Sequence, residues 1–404
     1  MKSGSSFLLA ARQCEIAELE QLARTGELVG VIGRFIHALQ RERGISNVYL
    51  GSQGQRGAAQ RGALVAECVA AQAEVQQHLE GLDTEATRVR NGARLFSRVA
   101  VVLHTLDGLP ALRAAITRQQ VCAGEATSAF GKLVAGLLAV VFEAADAATD
   151  PDISRALVAM FNFMQGKEFA GQERALGARA FAAGGADAAL QQQWRHLVES
   201  QQGCFQAFAA FSAPEVLRAD HASRDPVVLA EIERLRRLAT PARGGPLDPD
   251  LSQAWYDWCT RRMDAMRTVE DALSLHLRRL CEQRTVQARA ELRDQRALLE
   301  RLAREDVPAA TGPYGPQLEK SILGMVQEQS RRLQAMSDEL DAVRASLTER
   351  KVVERAKGLL MAHRQMSEEE AYKALRQMAM NQNKRLADVA GAVLALAEVL
   401  PQAR

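Results

Sequence analysis

The sequence predicts an all-α protein. Apolar residues recur at spacings of three and four along most of the 404 residues, which is the period of one face of an α-helix. Runs in which Val, Ile or Thr alternate with polar residues, the pattern of a β-strand, are missing. The chain has only 11 prolines, none of them before Pro110, so long helices can run without interruption. A chain of this length exceeds one hydrophobic core and predicts two or more domains.

Composition limits the function classes that need to be considered. The net charge of +2 gives no global attraction to nucleic acid, so any such binding must come from a local patch. The six cysteines are scattered, without a C-x-x-C pair or a histidine at metal-ligand spacing, which predicts reduced thiols, no metal and no cofactor. The first apolar run is too short for a signal peptide, and no stretch approaches the roughly 20 apolar residues of a membrane span. These features predict a cytoplasmic protein without membrane segments.

Helical periodicity and its breaks divide the chain into elements. A helical extension over 1–29 precedes a long helical domain over 30–304, whose helices are separated by Gly, Pro and Asp signals. Residues 305–317, EDVPAATGPYGPQ, hold three prolines and two glycines and form the clearest linker. The predicted helices before the linker cover 27–52, 62–81, 83–107, 112–147, 152–183, 186–211, 226–239 and 251–304.

Residues 318–346 carry apolar side chains with a period of 3.5 residues. A seven-residue repeat kept over four heptads predicts a coiled coil, and a parallel homodimer is its simplest consequence. A lone amphipathic helix is the alternative explanation. The repeat places Ile322, Gln329, Met336 and Val343 in one column and Val326, Leu333, Leu340 and Leu347 in the other.

Two arginines lie on helix faces that are otherwise apolar. On a helical wheel Arg43 and Ser46 share a stripe with isoleucine, leucine and phenylalanine side chains, whereas Arg41 falls on the opposite side. Arg174 interrupts a second apolar stripe in the same way. A buried guanidinium requires an anion, because an unpaired buried charge costs more than a domain can tolerate.

Two sources of that anion are open from the sequence. The first is internal, since Glu42, Glu168 and Glu173 lie close to the two arginines along the chain. The second is a small oxyanion held between two helices, for which the planar guanidinium can donate two parallel hydrogen bonds. Gly44 and Gly177, together with Ser46, would leave room for such a ligand. Nucleophile–base motifs, phosphate loops and metal boxes are missing, which favours a sensor over an enzyme.

The motifs around both arginines resemble one known family. L-Q-R-E-R-G-x-S at 39–46, K-E-x-x-G-Q-E-R-A at 167–175 and W-x-x-W at 255–258 are similar to the nitrate- and nitrite-sensing (NIT) domain. The resemblance implies an all-helical sensor of two similar four-helix halves, which binds nitrate or nitrite between arginine-bearing helices. A weak internal repeat of 41–54 in 172–185 agrees with two pseudo-equivalent halves. Carried over to this sequence, the ligand-binding residues are Arg43 and Arg174, with Arg41 and Ser46 as further candidates.

The C-terminal residues 347–404 predict three short helices. The first continues to about His363, Ser367 and Glu370 form a capping box for the second, and the third begins near Arg385. Basic residues outnumber acidic residues in this part of the chain. RNA binding is therefore physically plausible, although a charged helix face is more often simply solvated.

The first of these helices carries a methionine on its polar face. Gly358 beside it costs helix propensity, but it allows another backbone to approach closely. A methionine among basic side chains can also pack on an unstacked RNA base. The polar stripe consists of Arg350, Glu354, Lys357, Met361 and Arg364.

The C-terminal motifs closely resemble the ANTAR domain over the whole module. They read R-x-x-x-E-R-A-K-G-L-L-M, S-E-E-E-A-Y-x-x-L-R-x-x-A-M and L-A-D-V-A. The resemblance implies a three-helix RNA-binding bundle behind a coiled coil, which acts in transcription antitermination by binding tandem hairpins in leader RNA. The residues expected to contact RNA are Lys357, Gly358, Met361 and Arg376, with Arg350, Arg355 and Arg364 as further candidates.

Together the two resemblances predict an antitermination regulator that responds to nitrate or nitrite and controls nitrate-assimilation genes. Its expected partners are the effector anion, leader RNA hairpins and a second copy of the chain. A small-anion sensor whose output is a protein–protein interaction is the alternative. The two predictions differ in whether the C-terminal module binds RNA in a salt-dependent manner.

Overall fold

The computed structural model describes residues 4–82, 92–239, 246–305, 316–364, 366, 368–382 and 384–399. Within these residues the chain forms thirteen α-helices and no strand, which confirms the all-α prediction. The chain divides into two compact units, Met1–Glu328 and Gln329–Arg404. The predicted linker 305–317 and the start of the predicted helix 83–107 lie largely outside the described residues, at 306–315 and 83–91.

The first half of the N-terminal unit contains helices α1 to α5. The long helix α1 packs against α2 and α5, and α3 packs against α5. The short helix α4 contacts both α3 and α5. These elements are α1 (Gly4–Gly51), α2 (Ala58–Glu80), α3 (Gly92–Asp107), α4 (Leu109–Thr117) and α5 (Ala123–Ala147).

The second half repeats this arrangement with helices α6 to α10. Helix α6 packs against α7 and α10, as α1 packs against α2 and α5, and α8 packs against α10, as α3 packs against α5. Contacts of α1 with α10 and α6, and of α5 with α6, join the halves, so the two pseudo-equivalent halves are confirmed. The elements are α6 (Pro151–Ala182), α7 (Ala188–Phe211), α8 (Pro214–Ser223), α9 (Pro226–Ala239) and α10 (Leu251–Glu305).

Local capping chemistry explains where these helices begin. Asp150 precedes α6, and its carboxylate accepts hydrogen bonds from the backbone N–H groups of Asp152 and Ile153, both at 3.0 Å. Cys122 and Glu125 form a capping box at the start of α5. The predicted single helix over 112–147 is therefore wrong, because the chain breaks between α4 and α5.

Residue Gln119 lies within this break and adopts a φ of 55°, in the left-handed region that an α-helix cannot contain. Helix α8 is a further difference, because it was not predicted from the sequence. Its first residue, Pro214, is tolerated at a helix start, where no intrahelical N–H bond is lost.

A tryptophan pair forms the core of the second half. The rings of Trp194 and Trp255 lie 5.0 Å apart between centroids, and Phe181 packs edge-on against Trp194. Both indoles are fully buried, and Trp255 Nε1 donates to the carbonyl oxygen of Arg174 at 3.0 Å. Gly177 lies directly beneath these rings. The expectation that Gly177 leaves room for a ligand is therefore wrong, because tryptophan fills that space.

The C-terminal unit is a three-helix bundle, as predicted. Helix α11 runs through the division between the units and ends as the first helix of the bundle. Small and branched apolar side chains form the core, among them Ala356, Leu360, Ala371, Leu375 and Ala390. The predicted capping residue Ser367 lies outside the described residues. The helices are α11 (Pro316–Arg364), α12 (Glu368–Gln382) and α13 (Leu386–Val399).

Burial differs along the predicted coiled-coil seam of α11. Val326 and Leu333 are exposed in the single chain, as expected for coiled-coil positions that a second helix would bury. Leu340, Val343 and Leu347 are already buried in the single chain. The homodimer stays a prediction, and the exposed apolar positions that could support it belong to the first heptads.

Two described stretches are long and apolar enough to span a membrane, by length and composition alone. They are Ala93–Thr117 and Ala123–Ala147, so the expectation that no stretch approaches this length is wrong. The second stretch is helix α5, and 50% of its most apolar part is buried inside the protein.

Replacing Gly177 by alanine is expected to destabilise the second half. The added methyl group would collide with the indole of Trp255 and lie 2.8 Å from Cη2 of Trp194. Overpacking of this kind lowers the free energy of unfolding by about 1–3 kcal/mol. Urea unfolding followed by circular dichroism measures the change.

The matched control is Gly203→Ala on the exposed face of α7, where no described atom would touch the new methyl group. Alanine there should leave stability unchanged or raise it by up to about 1 kcal/mol through helix propensity. Equal effects of the two substitutions would contradict the tight contact between Gly177 and the indoles.

Candidate functional site

Arg43 is buried at the junction of α1 and α6 and is paired with Glu168. Its Nη1 and Nη2 donate to Oε1 and Oε2 of Glu168 at 2.6 and 3.0 Å, in the bidentate geometry that fits a guanidinium to a carboxylate. Arg43 is 2% exposed and the side chain of Glu168 3% exposed. Of the three glutamates considered from the sequence, Glu168 is therefore the internal partner of Arg43.

Arg174 is the second buried arginine, and it is held without a carboxylate. Its Nη1 donates to Oγ1 of Thr260 at 2.9 Å, and its Nη2 donates to the carbonyl oxygen of Gln40 at 3.1 Å. The guanidinium lies over the ring of Tyr256, 4.9 Å from its centroid. Among the described residues Arg174 forms no ion pair, although it is only 4% exposed. Neutral groups thus hold a buried positive charge.

Gln40 connects the two arginines. Its backbone carbonyl accepts from Arg174, while its side-chain Nε2 donates to Glu168 at 2.9 Å. Each guanidinium also rests on a glycine of the opposite helix. A methyl group at Gly44 would lie 2.7 Å from Nη2 of Arg174, and one at Gly171 would lie 2.6 Å from Nη2 of Arg43. Only glycine permits so close an approach of a side chain to the helix backbone.

In the segment of α1 that carries Arg43, two buried polar atoms have no hydrogen-bond partner among the described residues. They are Oγ of Ser46 and Oε1 of Gln40. Ser46 is fully buried, and an unsatisfied hydroxyl in such a place costs about 1–3 kcal/mol. An anion next to α1 could accept a hydrogen bond from the Ser46 hydroxyl, whereas Oε1 of Gln40 is an acceptor and needs a donor. Arg41 lies away from them, because its side chain is 40% exposed and pairs with Glu67 of α2 at 2.5 Å.

The glutamates of the two repeated Glu-Arg motifs have equivalent partners in the two halves. Arg113 of α4 donates through Nε and Nη2 to Glu42 of α1, at 2.8 Å for both bonds. Arg236 of α9 donates through the same two atoms to Glu173 of α6, at 2.7 Å for both bonds. Burial alone would raise the pKa of Glu173, but hydrogen bonds and charge from Arg236 keep that pKa below its ordinary value. Arg113 and Arg236 thus neutralise Glu42 and Glu173, so that Arg43 and Arg174 can form other interactions at the junction.

A second buried charge cluster lies on the same three helices. Lys167 of α6 is fully buried, and its Nζ donates to Oε2 of Glu270 of α10 at 2.8 Å. Nδ1 of His37 on α1 lies 3.1 Å from the same Nζ. Burial, followed by the charges of Lys167 and Arg267, lowers the pKa of His37 from 6.5 to about 2. His37 is therefore neutral at physiological pH and can accept a hydrogen bond from the lysine.

Several residues of the junction were not found from the sequence. Thr260 and Tyr256 lie in the α10 segment that carries the W-x-x-W motif, but the motif does not indicate that these two residues contact Arg174. A buried glutamate requires a cation, so partners for Glu42 and Glu173 could be expected. The sequence could not identify them as Arg113 and Arg236, because the chain has 51 lysines and arginines. Among the described residues no group of three or more His, Cys, Asp or Glu side chains could hold a metal ion.

The C-terminal bundle presents a surface that includes most of the predicted RNA contacts. Met361 is 38% exposed and Gly358 is exposed, with open space above its Cα among the described residues. Arg355 and Arg364 are exposed, and Arg376 of α12 is half-buried. The side chain of Arg350 lies outside the part of the chain that the structure describes.

Lys357 differs from its predicted place on the solvated stripe of α11. It is 7% exposed, and its Nζ lies over the ring of Tyr372 of α12, 6.0 Å from the centroid. The prediction of an open polar position is wrong, because α12 covers this side of α11. Lys357 is thus buried one helical turn before the exposed Met361.

The fold and the two sites define a sensor-and-output regulator. Paired helical halves hold buried arginines at their junction, and a separate three-helix bundle carries an exposed methionine among basic residues. Comparison with known proteins agrees with this class. Residues 34–278 match the family described as nitrate and nitrite sensing, and residues 341–394 match the ANTAR domain.

Individual relatives match over nearly the full length. A nitrate regulatory protein of Klebsiella oxytoca is 35% identical over 395 residues, covering 95% of this chain and 93% of that relative. The solved structure of the NasR transcription antiterminator is 34% identical with a TM-score of 0.60, covering 97% of this chain and 98% of that one. The chain belongs to the nitrate- and nitrite-sensing family, in the group that carries a C-terminal ANTAR domain, which confirms both resemblances.

The lowered pKa of His37 predicts a pH-dependent stability. Below about pH 6.5 the unfolded chain binds a proton at this histidine that the folded chain does not bind, so stability falls as the pH decreases. The contribution is up to about 1 kcal/mol for each pH unit between pH 6.5 and pH 5. His37→Gln should remove this part of the slope in urea unfolding measured across that range.

The matched control is His104→Gln on the exposed face of α3. It should keep the pH slope of the unchanged protein. If His37→Gln and the unchanged protein lose stability equally on acidification, the buried neutral histidine is not responsible for any of the loss.

Proposed function

We propose that this protein is a nitrate- or nitrite-responsive regulator of transcription antitermination. Its N-terminal unit binds the anion at the junction of α1, α6 and α10, and its C-terminal bundle binds tandem hairpins in leader RNA. The membership of this chain in a nitrate- and nitrite-sensing family with an ANTAR domain supports both parts. The protein acts in the cytoplasm as a regulator rather than an enzyme, and the effector anion is the small molecule that it requires.

The observation that carries the sensor part is the arginine pair. Arg174 is a buried cation without a carboxylate partner among the described residues, so a monovalent anion beside it would neutralise its charge. Arg43 lies across the same junction and offers a planar fork for an oxyanion. The unsatisfied Ser46 hydroxyl on α1 supplies a further donor. Arg43 and Arg174 are thus the proposed anion ligands, with Ser46 in support.

Arg41 is a weaker candidate for the anion. The structure places its guanidinium on α1 toward α2, where Glu67 already neutralises it. An anion at the junction would gain little from a charge that solvent and a carboxylate both screen. Substitution of Arg41 therefore serves as the comparison for substitution of Arg43.

The proposed route from sensor to output begins at α10. This helix carries Thr260 and Tyr256, which contact Arg174. From there it continues without a break to Glu305. An anion that favours one packing of α1, α6 and α10 shifts the population toward that packing. Only a difference in affinity between two packings is needed for control.

The proposed RNA surface consists of α11 and α12 of the C-terminal bundle. Met361 can pack on an unstacked loop base, and Gly358 lets the RNA backbone approach the helix. Lys357 is held against Tyr372, which limits its motion before RNA binds. Further contacts come from Arg376, Arg355, Arg364 and Arg350. A homodimer through the first heptads of α11 would present two bundles to two hairpins.

Nitrate binding by the full chain tests the sensor site. Arg174→Ala should weaken binding by about 10- to 100-fold, since a hydrogen bond to a charged group is worth about 1.5–3 kcal/mol. This substitution leaves no buried carboxylate unpaired, because Arg174 has none to lose. Isothermal titration calorimetry with sodium nitrate and sodium nitrite measures the dissociation constants.

Arg43→Ala should weaken binding to a similar extent, whereas Arg41→Ala should change it little. Circular dichroism of each variant verifies that the helices are retained. Unchanged binding in both Arg43→Ala and Arg174→Ala would remove the proposed site, and loss only in Arg41→Ala would move it to the α2 side of α1.

RNA binding by the full chain tests the output surface. With nitrate present, Met361→Glu should abolish a gel shift of an RNA carrying two small-loop hairpins, because it places a negative charge at the contact. Arg376→Ala should weaken the shift by about 10-fold and reduce its salt dependence. The control is Arg385→Ala, which removes an exposed arginine that Glu349 and Asp388 already neutralise. A shift that neither contact substitution changes would contradict this surface.

A further inference from the structure

One carboxylate occupies the centre of the proposed anion site. Glu168 accepts hydrogen bonds from four N–H groups, two of them from Arg43 at 2.6 and 3.0 Å. Gln40 donates to its Oε2 at 2.9 Å, and Gln172 donates to its Oε1 at 3.1 Å. The carboxylate is almost completely buried. The junction is therefore built to hold two oxygens of a planar anion, and a residue of α6 supplies them.

The position that the Glu168 carboxylate occupies opposite Arg43 would also suit nitrate or nitrite. In all three anions two equivalent oxygens are bonded to one planar atom, so each can accept both bonds of a guanidinium fork. A tetrahedral oxyanion carries further oxygens outside that plane. Little space is present for them, because Nη2 of Arg43 lies directly against the backbone of Gly171, and the methyl group of Met263 lies beside the same glycine.

The Glu168 carboxylate and the anion cannot occupy Arg43 at the same time, because their negative charges repel each other. Arg43 and Glu168 together are neutral, and a second anion in the fork would face a buried negative charge at hydrogen-bond distance. An anion can therefore use both N–H groups of Arg43 only after Glu168 has left them. Gln172, which is half-buried on the same helix, is the donor that could accompany the carboxylate outward.

We propose that Glu168 is a built-in competitor for the anion at Arg43. When no anion is bound, its carboxylate holds the fork and ties α6 to α1. Nitrate or nitrite takes its place, and the buried bridge between the two helices is broken. This inference rests on the proposed anion site and adds the event with which the response begins. It also makes Glu168 a determinant of affinity, because each ligand must displace it.

The test is calorimetry of nitrate binding to the full chain and to its Glu168→Gln variant, at constant sodium chloride. A neutral amide competes poorly for a guanidinium, so the dissociation constant for nitrate should fall by about 10-fold, as expected when a larger fraction of sites is competent to bind. The control is Glu143→Gln, which alters a buried carboxylate of α5 that faces Arg98 rather than the junction. It should leave the dissociation constant unchanged.

A second variant applies if Glu168→Gln does not fold, as judged by circular dichroism. Gln172→Ala removes one of the four donors to Glu168 from a half-buried position, so the carboxylate is held less firmly and nitrate should bind about 2- to 5-fold more tightly. Equal or weaker binding in the variant that decides the test would overturn the competition, while nitrate binding by the unchanged chain leaves the proposed function intact. Absence of nitrate and nitrite binding to the unchanged chain would overturn both.

Discussion

Neutralising charge in the dry junction between two helical halves is the constraint on which the sensor unit depends. Removing one member of a buried pair leaves an uncompensated charge and costs about 3–5 kcal/mol, so each of these pairs fixes the distance between two helices. Arg43 and Glu168 join α1 to α6 in this way, and Lys167 and Glu270 join α6 to α10. Arg174 is the exception, since dipoles and an aromatic ring replace the carboxylate. Neutral ion pairs therefore hold α1, α6 and α10 together, and Arg174 adds a positive charge that no described carboxylate neutralises.

This organisation suits a receptor for a small anion. A nitrate-sized ligand makes few contacts, so most of its effect must come from changing interactions that the protein already has. Bidentate partners hold the motif glutamates Glu42 and Glu173 within their own halves, which leaves the junction arginines as the groups open to exchange. Gly44 and Gly171 let these guanidinium groups lie on the opposite helix, so a shift of one helix is felt directly by the other.

The C-terminal bundle follows a different principle. Its core consists of small and branched side chains, and its proposed RNA contacts lie on the surface rather than in a cavity. Met361 and Gly358 are exposed side by side, as expected for a face that packs on unstacked bases. Lys357 combines a covered stem with a charged end near Tyr372, so part of its ordering is achieved before RNA binds.

The sequence by itself determined the helical class, the inward direction of Arg43 and Arg174, and the membership suggested by the motifs, because these depend on local period and residue order. It did not reveal the break before α5, where Gln119 adopts a positive φ and Cys122 an extended conformation. Only the tertiary structure decided which carboxylate meets which arginine. Glu168 lies 125 residues from Arg43 along the chain, and the period of a helix shows which face is buried but not which other face it will meet.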